Sequence, residues 1–236
     1  MSFAPLGVFC LIGKFVIADG LDIFQDVLAY VVLLITLLLF HAAFTYSLFL
    51  KFIGGLNPLT FYRKMKDVAL FAFSTSSSAA TIPVTLRTVN QDLGVNQNVA
   101  SFVVPVGATI NMDGTAIMQG LATVFIAQMS GIDLTLFQYI QVVLLAVATS
   151  IGTAAVPSAG TITLIIILQQ FNLPLEAIGI ILAVDRVLDM IRTSVNVTGD
   201  AAVSMIVAKS VGKLKDPKDV NKNWRFLEAA PKFRIQ

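Results

Sequence analysis

Residues 185–200 read DRVLDMIRTSVNVTGD inside an otherwise apolar stretch, and this segment decides the fold. Its polar side chains recur at spacings of four, three, four and four residues, which places them on one stripe of a helix. They are Asp185, Asp189, Arg192, Asn196 and Asp200. Inside a membrane, each charged side chain costs about 3 kcal/mol or more. We therefore expect the stripe to face protein, water or a bound molecule rather than lipid.

The composition is that of a membrane protein. The 236 residues are 56% hydrophobic and 13% charged, with a mean hydropathy of +0.83, whereas a soluble domain has about 25% charged residues. Residues 27–52 are apolar for long enough to span a bilayer. This balance excludes nucleic-acid binding, disorder and a secreted scaffold, and the single cysteine, Cys10, excludes a disulfide framework. We predict an all-α polytopic membrane protein.

The stripe carries more acids than its arginine neutralises. Three carboxylates share it with Arg192, so a cation or an ammonium group is the expected partner of the surplus charge. The alternative is a structural ladder of ion pairs in which Arg192 satisfies Asp189, three residues earlier.

The charges outside the stripe predict the orientation of the chain. Basic residues cluster at 51–66, at Arg87 and in the tail from 209 to 234, whereas the turns near 19–26, Asp133 and Glu176 carry acids only. Cytoplasmic loops collect Lys and Arg. We expect an integral plasma-membrane or inner-membrane protein whose C-terminus is cytoplasmic.

Two segments are apolar arms around a polar interruption, each arm too short to span. Residues 57–90 are interrupted by the serines and threonine of STSSS at 74–78, and residues 133–172 by the stretch 150–160. The charge distribution predicts that residues 57–90 enter the membrane from the cytoplasmic side and that residues 133–172 enter from the outside. Such re-entrant hairpins are tolerated where their tips are buried or line a wet cavity. Two of them with opposite orientation indicate an inverted-repeat transporter with its site at the midplane.

A further interruption, GATINMDGT at 107–115, breaks a predicted helix. Its glycines and Asn111 free backbone carbonyls, which with the Asp113 carboxylate are hard oxygen ligands for a small cation. The alternative is a simple kink in which a buried donor holds Asp113. We expect His41, on its apolar helix, to be a packed core residue rather than a proton relay.

Four motifs in this order resemble one known family. They are TSSSAATIP at 75–83, NMDGT at 111–115, VPSAG at 156–160 and the stripe from Asp189 to Asp200. This chain resembles the dicarboxylate/amino acid:cation symporter family, the sodium-coupled glutamate/aspartate transporters, up to about residue 213. Members of that family have eight transmembrane helices plus two hairpins. The resemblance implies that this chain begins at the fifth helix, without the first four.

The resemblance also implies a division of the chain. Residues 1–55 are expected to form two scaffold-type transmembrane helices, at about 4–19 and 25–53. Residues 56–212 are expected to form the core of the transport domain. Its parts are hairpin 1 (about 57–90), a broken helix (about 96–130), hairpin 2 (about 133–172) and the last helix (about 174–211). Residues 213–236 form a basic cytoplasmic tail, and a homotrimer is expected when the full set of helices is supplied.

For the substrate, the resemblance implies a cradle between the hairpin tips. The α-ammonium of an acidic amino acid is expected to pair with Asp189, its α-carboxylate with Asn196, and its side-chain carboxylate with Arg192, assisted by Thr115. The remaining expected contacts are Ser77, Ser78, Val156 and Thr193. The second hairpin departs from its relatives at Ala155 and Ser158, where they often have glycine.

For sodium, the resemblance implies three groups of ligands. The first is Asp200 with the carbonyls of Gly107, Asn111 and Asn196. The second is the carbonyls of Thr109, Ser150, Ile151 and Thr153, near the Met112 sulfur. The third contains Asp113 and Asn111, and the family places its other ligands on the third helix. A proton is the alternative coupling ion.

These expectations describe a secondary active symporter of L-glutamate or L-aspartate, driven by a sodium or proton gradient, with elevator-type alternating access. Its partners are the substrate and the lipid bilayer, with no nucleic acid. The alternative is a truncated, non-transporting or regulatory subunit of such a transporter. We do not expect an enzyme, because no nucleophile–base pair or metal cluster is evident.

Overall fold

The computed structural model describes residues 23–215 together with residues 9, 10, 13 and 17. The helices are α1 (Ile23–Phe40), α2 (Tyr46–Phe52), α3 (Pro58–Thr75), α4 (Ser78–Gln91), α5 (Gln97–Ile110), α6 (Asp113–Met129), α7 (Leu136–Ser150), α8 (Ala159–Gln170) and α9 (Ile178–Ser210). Among the described residues every named element is helical, which confirms the all-α prediction. Most of the predicted helix at 4–19, and the tail beyond 215, lie outside the described residues.

The long apolar span at the start of the described chain consists of α1, a π-helical turn at His41–Thr45 and α2. The stretch Phe24–Phe52, 29 residues with a hydropathy of 2.5, is long and apolar enough to cross a membrane. The helices Leu136–Ser150 and Ala159–Gln170 are also apolar but shorter. The sequence-based prediction of a spanning segment at 27–52 agrees with this helix.

The predicted first hairpin corresponds to the helix pair α3 and α4. Asn57 caps α3 through its Oδ1, which accepts from Leu59 N at 3.0 Å, and Pro58 follows at the first helical position. Between the helices, Ser76 takes a left-handed backbone with φ of 51°, and Ser77 caps α4. The helix–tip–helix form is therefore present, while its re-entrant orientation stays a prediction.

The predicted broken helix corresponds to α5 and α6. Both residues between them, Asn111 and Met112, leave the helical backbone, with ψ of 69° and 57°. The break therefore falls inside the predicted interruption at 107–115.

The second predicted hairpin corresponds to α7 and α8. Thr135 and Gln138 form a capping box at the start of α7. The tip between the helices ends at Ser158, whose φ is 59°.

The last helix, α9, runs for 33 residues through the centre of the bundle. One hydrophobic cluster joins it to α1, α6 and α8 and includes Leu34, Met118, Leu164 and Leu188. A second cluster joins it to α2–α5 and includes Phe61, Val104 and Ala201. Because α1 shares a core with α6 and α9, α1 packs directly on the predicted transport core. The expected division near residue 55 stays a prediction.

Candidate functional site

The polar stripe of α9 is buried along its whole length. Each of its five side chains belongs to a residue that is at most 5% exposed: Asp185, Asp189, Arg192, Asn196 and Asp200. The burial agrees with the prediction made from their spacing.

Arg192 pairs with both acids that precede it on α9. Its Nη2 donates to Asp189 Oδ1 at 2.5 Å, and its Nη1 to Asp185 Oδ1 at 3.4 Å. Thr161 of α8 donates to the same Asp185 oxygen at 2.6 Å. The ladder of ion pairs that the sequence left as the alternative is therefore the geometry of this structure. Two carboxylates still face one guanidinium, so the group keeps one formal negative charge in excess.

The tips of the two helix pairs meet at this group. Ser77 Oγ of the first tip donates to the Ala155 carbonyl of the second at 2.9 Å, and Ala79 N donates to the same oxygen at 3.1 Å. Ser158 N of the second tip donates to Asp189 Oδ2 at 2.9 Å. The second tip is thereby bonded both to the first tip and to the α9 stripe.

Asn196 connects the stripe to the broken helix. Its Oδ1 accepts from Gly114 N at 2.8 Å, and its Nδ2 donates to Thr115 Oγ1 at 3.3 Å. Thr115 lies against Met112, with 3.8 Å between the hydroxyl and the sulfur.

These residues enclose a cavity of about 20 Å³. All of the residues predicted for substrate except Ser77 line it, together with Met112 and Thr153 from the predicted cation groups. The substrate residues on its wall are Ser78, Thr115, Val156, Asp189, Arg192, Thr193 and Asn196. Since a water molecule needs about 10–15 Å³, the cavity has room for about one water.

Residues of the first predicted cation group lie close to Asp200. Asn111 Nδ2 donates to Asp200 Oδ1 at 3.0 Å. Gly107 lies so close that a Cβ added to it would stand 2.5 Å from the same oxygen. Asn196 is one turn earlier on α9.

The second predicted group is less assembled. Met112 and Thr153 share the wall of the small cavity, and Ser150 is buried. Thr109 is exposed and donates to Val106 O, and Ile151 is 45% exposed. Among the described residues, no hydrogen bond joins Thr109 to the others of this group.

The third predicted group has partners that the sequence did not suggest. Asp113 Oδ2 lies 3.1 Å from His41 Nε2 and accepts from Tyr46 Oη at 3.2 Å. His41, expected to be a packed core residue, is half-buried and contacts the carboxylate directly. Within residues 23–215 no three His, Cys, Asp or Glu side chains are grouped to hold a metal ion.

Gln119 is a further buried polar residue that the motifs did not identify. Its Nε2 donates to Gly160 O at 3.0 Å and to Thr163 Oγ1 at 2.7 Å, and its Oε1 accepts from Thr149 Oγ1 at 2.8 Å. One amide of α6 thus holds both α7 and α8. The signal in the sequence is an amide in the middle of the largely apolar helical run that follows the break.

Apolar helices around a buried, charged centre are typical of membrane proteins in which intramembrane charges mark a substrate or ion pathway. A family model described as the sodium:dicarboxylate symporter family matches residues 1–210. This chain therefore belongs to the sodium:dicarboxylate symporter family, and the resemblance inferred from the motifs is confirmed.

Curated relatives agree with the family. An excitatory amino acid transporter of Caenorhabditis elegans is 42% identical over 209 residues, covering 88% of this chain and 42% of the relative. Excitatory amino acid transporter 3 of Mus musculus is 40% identical over 222 residues, covering 94% and 42%. Excitatory amino acid transporter 2 of Homo sapiens is 42% identical over 209 residues, covering 88% and 36%.

The chain spans about two fifths of the length of these relatives. Family and relatives are transporters and not enzymes, in agreement with the expectation from the sequence. The name of the family implies coupling to sodium, and the relatives indicate a membrane setting.

Proposed function

We propose that this chain forms the substrate-binding and cation-binding core of a secondary active symporter of acidic amino acids, driven by a sodium gradient. The observation that carries the proposal is the buried group of Arg192, Asp185 and Asp189 beneath two touching helix-pair tips. A guanidinium binds a carboxylate through two parallel hydrogen bonds. The surplus acid favours a ligand that also carries a positive charge. L-Glutamate and L-aspartate supply both groups.

Binding exchanges internal ion pairs for pairs with the ligand. The side-chain carboxylate of the substrate takes the place of Asp189 on Arg192, with the Thr115 hydroxyl as a further donor. The α-ammonium then pairs with the freed carboxylate of Asp189. Because Arg192 and Asp189 each gain a new partner in the exchange, neither is left as an isolated buried charge, whose cost is large.

The other contacts orient the amino acid. Its α-carboxylate accepts from Asn196 and from the first tip, at Ser77 and Ser78, while Val156 and Thr193 form the wall of the cavity. The first tip opens α4, and the positive end of a helix dipole favours an anion there.

Entry of the substrate requires the second tip to move, because the cavity holds only about 20 Å³. The bond from Ser158 N ends on the same Asp189 carboxylate that the ammonium needs. Ligand entry and tip movement are therefore linked at one carboxylate. A tip that closes over substrate and cation together prevents an uncoupled sodium leak.

Sodium is proposed to act through the break between α5 and α6. Asn111 belongs to the cation group around Asp200, and the next residues, Met112 and Thr115, line the substrate cavity. A cation that orders the break also shapes the cavity, and by linkage the substrate strengthens cation binding to the same degree. A proton is the alternative coupling ion.

The arrangement in the membrane is part of the same proposal. The α3–α4 and α7–α8 pairs are re-entrant hairpins that enter from opposite faces, and residues 56–212 move as an elevator against a scaffold. The protein resides in the plasma or inner membrane with a cytoplasmic C-terminus, and it assembles as a homotrimer. Paired interrupted segments of opposite orientation are the pattern that supports this arrangement.

The experiment is uptake of radiolabelled L-aspartate by liposomes that contain the purified full chain. An inward sodium gradient is compared with choline replacement and with an inward proton gradient, and empty liposomes serve as the control. We expect accumulation only with the sodium gradient, inhibited by unlabelled L-glutamate.

Each other outcome has a defined meaning. Uptake that follows the proton gradient supports the proton as coupling ion. Sodium-dependent binding without accumulation supports the alternative, a non-transporting or regulatory subunit. A chain that binds neither L-aspartate nor L-glutamate contradicts the proposal.

A further inference from the structure

The π-helical turn at His41–Thr45 places two side chains on one carboxylate. His41 and Tyr46 are five residues apart, and both contact Asp113 Oδ2, at 3.1 Å and 3.2 Å. On an α-helix, residues five apart lie about 140° apart around the axis. A π turn contains one extra residue and brings such a pair onto the same face. The double contact with Asp113 therefore depends on the π turn.

The π turn also changes the hydrogen bonding of the backbone. Tyr46 N donates to the His41 carbonyl, whereas in an α-helix it would donate to Ala42, four residues earlier. The Ala42 carbonyl thereby loses its α-helical donor. Tyr62 of α3 supplies a replacement, because its hydroxyl donates to Ala42 O and accepts from Ser47 Oγ at 3.3 Å.

We propose that Tyr62 is a positioning residue: its bond to the Ala42 carbonyl holds the π turn, and the π turn holds His41 and Tyr46 on Asp113. The inference rests on the proposed function, in which Asp113 takes part in sodium binding. It assigns Tyr62 no contact with the substrate or the cation.

Tyr46 connects the π turn to the centre of the site. Its hydroxyl contacts Val195 O of α9 at 3.3 Å in addition to Asp113, and Asp113 begins α6 directly after the helix break. Tyr46 therefore lies between the break and the stripe. Without the Tyr62 hydroxyl, the turn is free to return to α-helical geometry. His41 and Tyr46 then separate around the axis, and Asp113 loses one of them.

His41 provides a direct readout because it is the single histidine of the chain. Nitrogen-15 histidine labelling of the full chain, purified without a histidine tag in lipid nanodiscs, gives the ring-nitrogen signals of one imidazole; the signal followed is that of Nε2, the atom that faces Asp113. Sodium chloride is titrated against choline chloride at constant ionic strength. The variant is Tyr62→Phe, which removes the hydroxyl alone, and the matched control is Tyr139→Phe on the exposed side of α7.

In Tyr62→Phe we expect the imidazole signal to be displaced before sodium is added. The sodium concentration at half-saturation should rise about three- to tenfold, the effect of losing one neutral hydrogen bond. In Tyr139→Phe and Ser47→Ala the sodium concentration at half-saturation should stay within about twofold of the parent value, because both variants keep the bond from Tyr62 to Ala42. If Ser47→Ala raises the sodium concentration at half-saturation as much as Tyr62→Phe does, the proposal is overturned.

Deletion of the exposed residue Ala43 makes the test independent of general destabilisation. It removes the extra residue, so that His41 and Tyr46 become four apart and share a face of an ordinary α-helix. In this background Tyr62→Phe should leave the imidazole signal unchanged. The proposal is overturned if Tyr62→Phe displaces the imidazole signal equally with and without the deletion of Ala43, or if it displaces the signal in neither background. If Tyr62→Phe displaces the imidazole signal but sodium does not change that signal in the parent or in any variant, the positioning role is supported and the proposed sodium binding is contradicted.

Discussion

The guanidinium of Arg192 is held by the carboxylate of Asp189, with 2.5 Å between Nη2 and Oδ1, and both side chains are at most 5% exposed. In the proposed function, the Asp189 carboxylate occupies the guanidinium of Arg192, to which the side-chain carboxylate of the substrate has to bind. A ligand with only a carboxylate leaves Asp189 buried without a partner, and a ligand with only an ammonium does the same to Arg192. An unpaired buried charge is strongly unfavourable. The pair therefore selects ligands that carry both groups.

Substitution of Arg192 tests this selectivity. In Arg192→Ala we expect binding of L-aspartate to be lost while neutral amino acids gain relative to it, because the ammonium site at Asp189 remains. The measurement is equilibrium binding of radiolabelled L-aspartate and L-serine at saturating sodium. Arg192→Lys keeps the charge without the planar fork and should weaken L-aspartate about 10- to 100-fold, the range for a charge-assisted hydrogen bond.

The matched control is Arg87→Ala, which removes an exposed arginine of α4 and should bind L-aspartate like the parent. If Arg192→Ala binds L-aspartate with unchanged affinity, the assignment of Arg192 is wrong. The lysine variant keeps the test valid where the alanine variant does not fold.

Thr161 anchors α8 to the ion pairs of α9, because its hydroxyl donates to Asp185 Oδ1 at 2.6 Å. Thr161→Val keeps the shape and removes the donor, and hydrogen bonds to charged groups contribute about 1.5–3 kcal/mol. We expect the free energy of unfolding in detergent to fall by that amount. Thr85→Val, which loses a buried bond to the Thr81 carbonyl of its own helix, should cost about 0.5–1.5 kcal/mol. Equal losses in the two variants would show that Asp185 does not depend on Thr161.

Local patterns in the sequence predicted the helices and their interruptions. The burial of the stripe follows from its helical spacing, and the break at Asn111 and Met112 follows from glycines and polar residues in an apolar run. The tips at Ser76 and Ser158 follow from short arms around small polar residues. These features depend on neighbours within a turn or two, which the sequence displays directly.

Contacts between distant segments could not be predicted in the same way. Thr161 lies 24 residues from Asp185, and His41 lies 72 residues from Asp113. The π turn that directs His41 has no periodic signature, so the apolar surroundings favoured a packed core residue. The spacing did allow the pair between Arg192 and Asp189, but the surplus of acids favoured a ligand over that internal pair.

Gly107 allows the Asp200 carboxylate to approach α5. A Cβ at this position would stand 2.5 Å from Asp200 Oδ1, so Gly107→Ala forces the carboxylate away from Asn111. We expect the sodium concentration for half-maximal L-aspartate binding to rise about 10- to 100-fold, the loss of one charged hydrogen bond. The measurement is L-aspartate binding as a function of sodium.

The control is Gly120→Ala, at a helical position where an added Cβ meets nothing within 4 Å. It should leave the sodium dependence unchanged and raise the free energy of unfolding by about 0.5–1 kcal/mol, because alanine favours helix over glycine. Matching sodium curves for the two variants contradict the role of Asp200.

Gln119 should determine how firmly the α7–α8 pair is attached to α6. Gln119→Leu removes hydrogen bonds to Gly160, Thr163 and Thr149 and leaves the Gly160 carbonyl with fewer donors. We expect the free energy of unfolding to fall by about 1–3 kcal/mol. Backbone hydrogen exchange, followed by mass spectrometry, should accelerate in α7 and α8, because amide exchange reports local opening.

The control for Gln119 is Gln141→Leu, which replaces an exposed amide of α7 and should leave exchange in both helices unchanged. The α3–α4 pair provides an internal reference, since its contacts with α9 do not involve Gln119. Faster exchange confined to α7 and α8 supports Gln119 as the link between this pair and the broken helix. Acceleration spread equally over α3, α4, α7 and α8 would mean that Gln119 stabilises the bundle as a whole and has no special relation to the second tip.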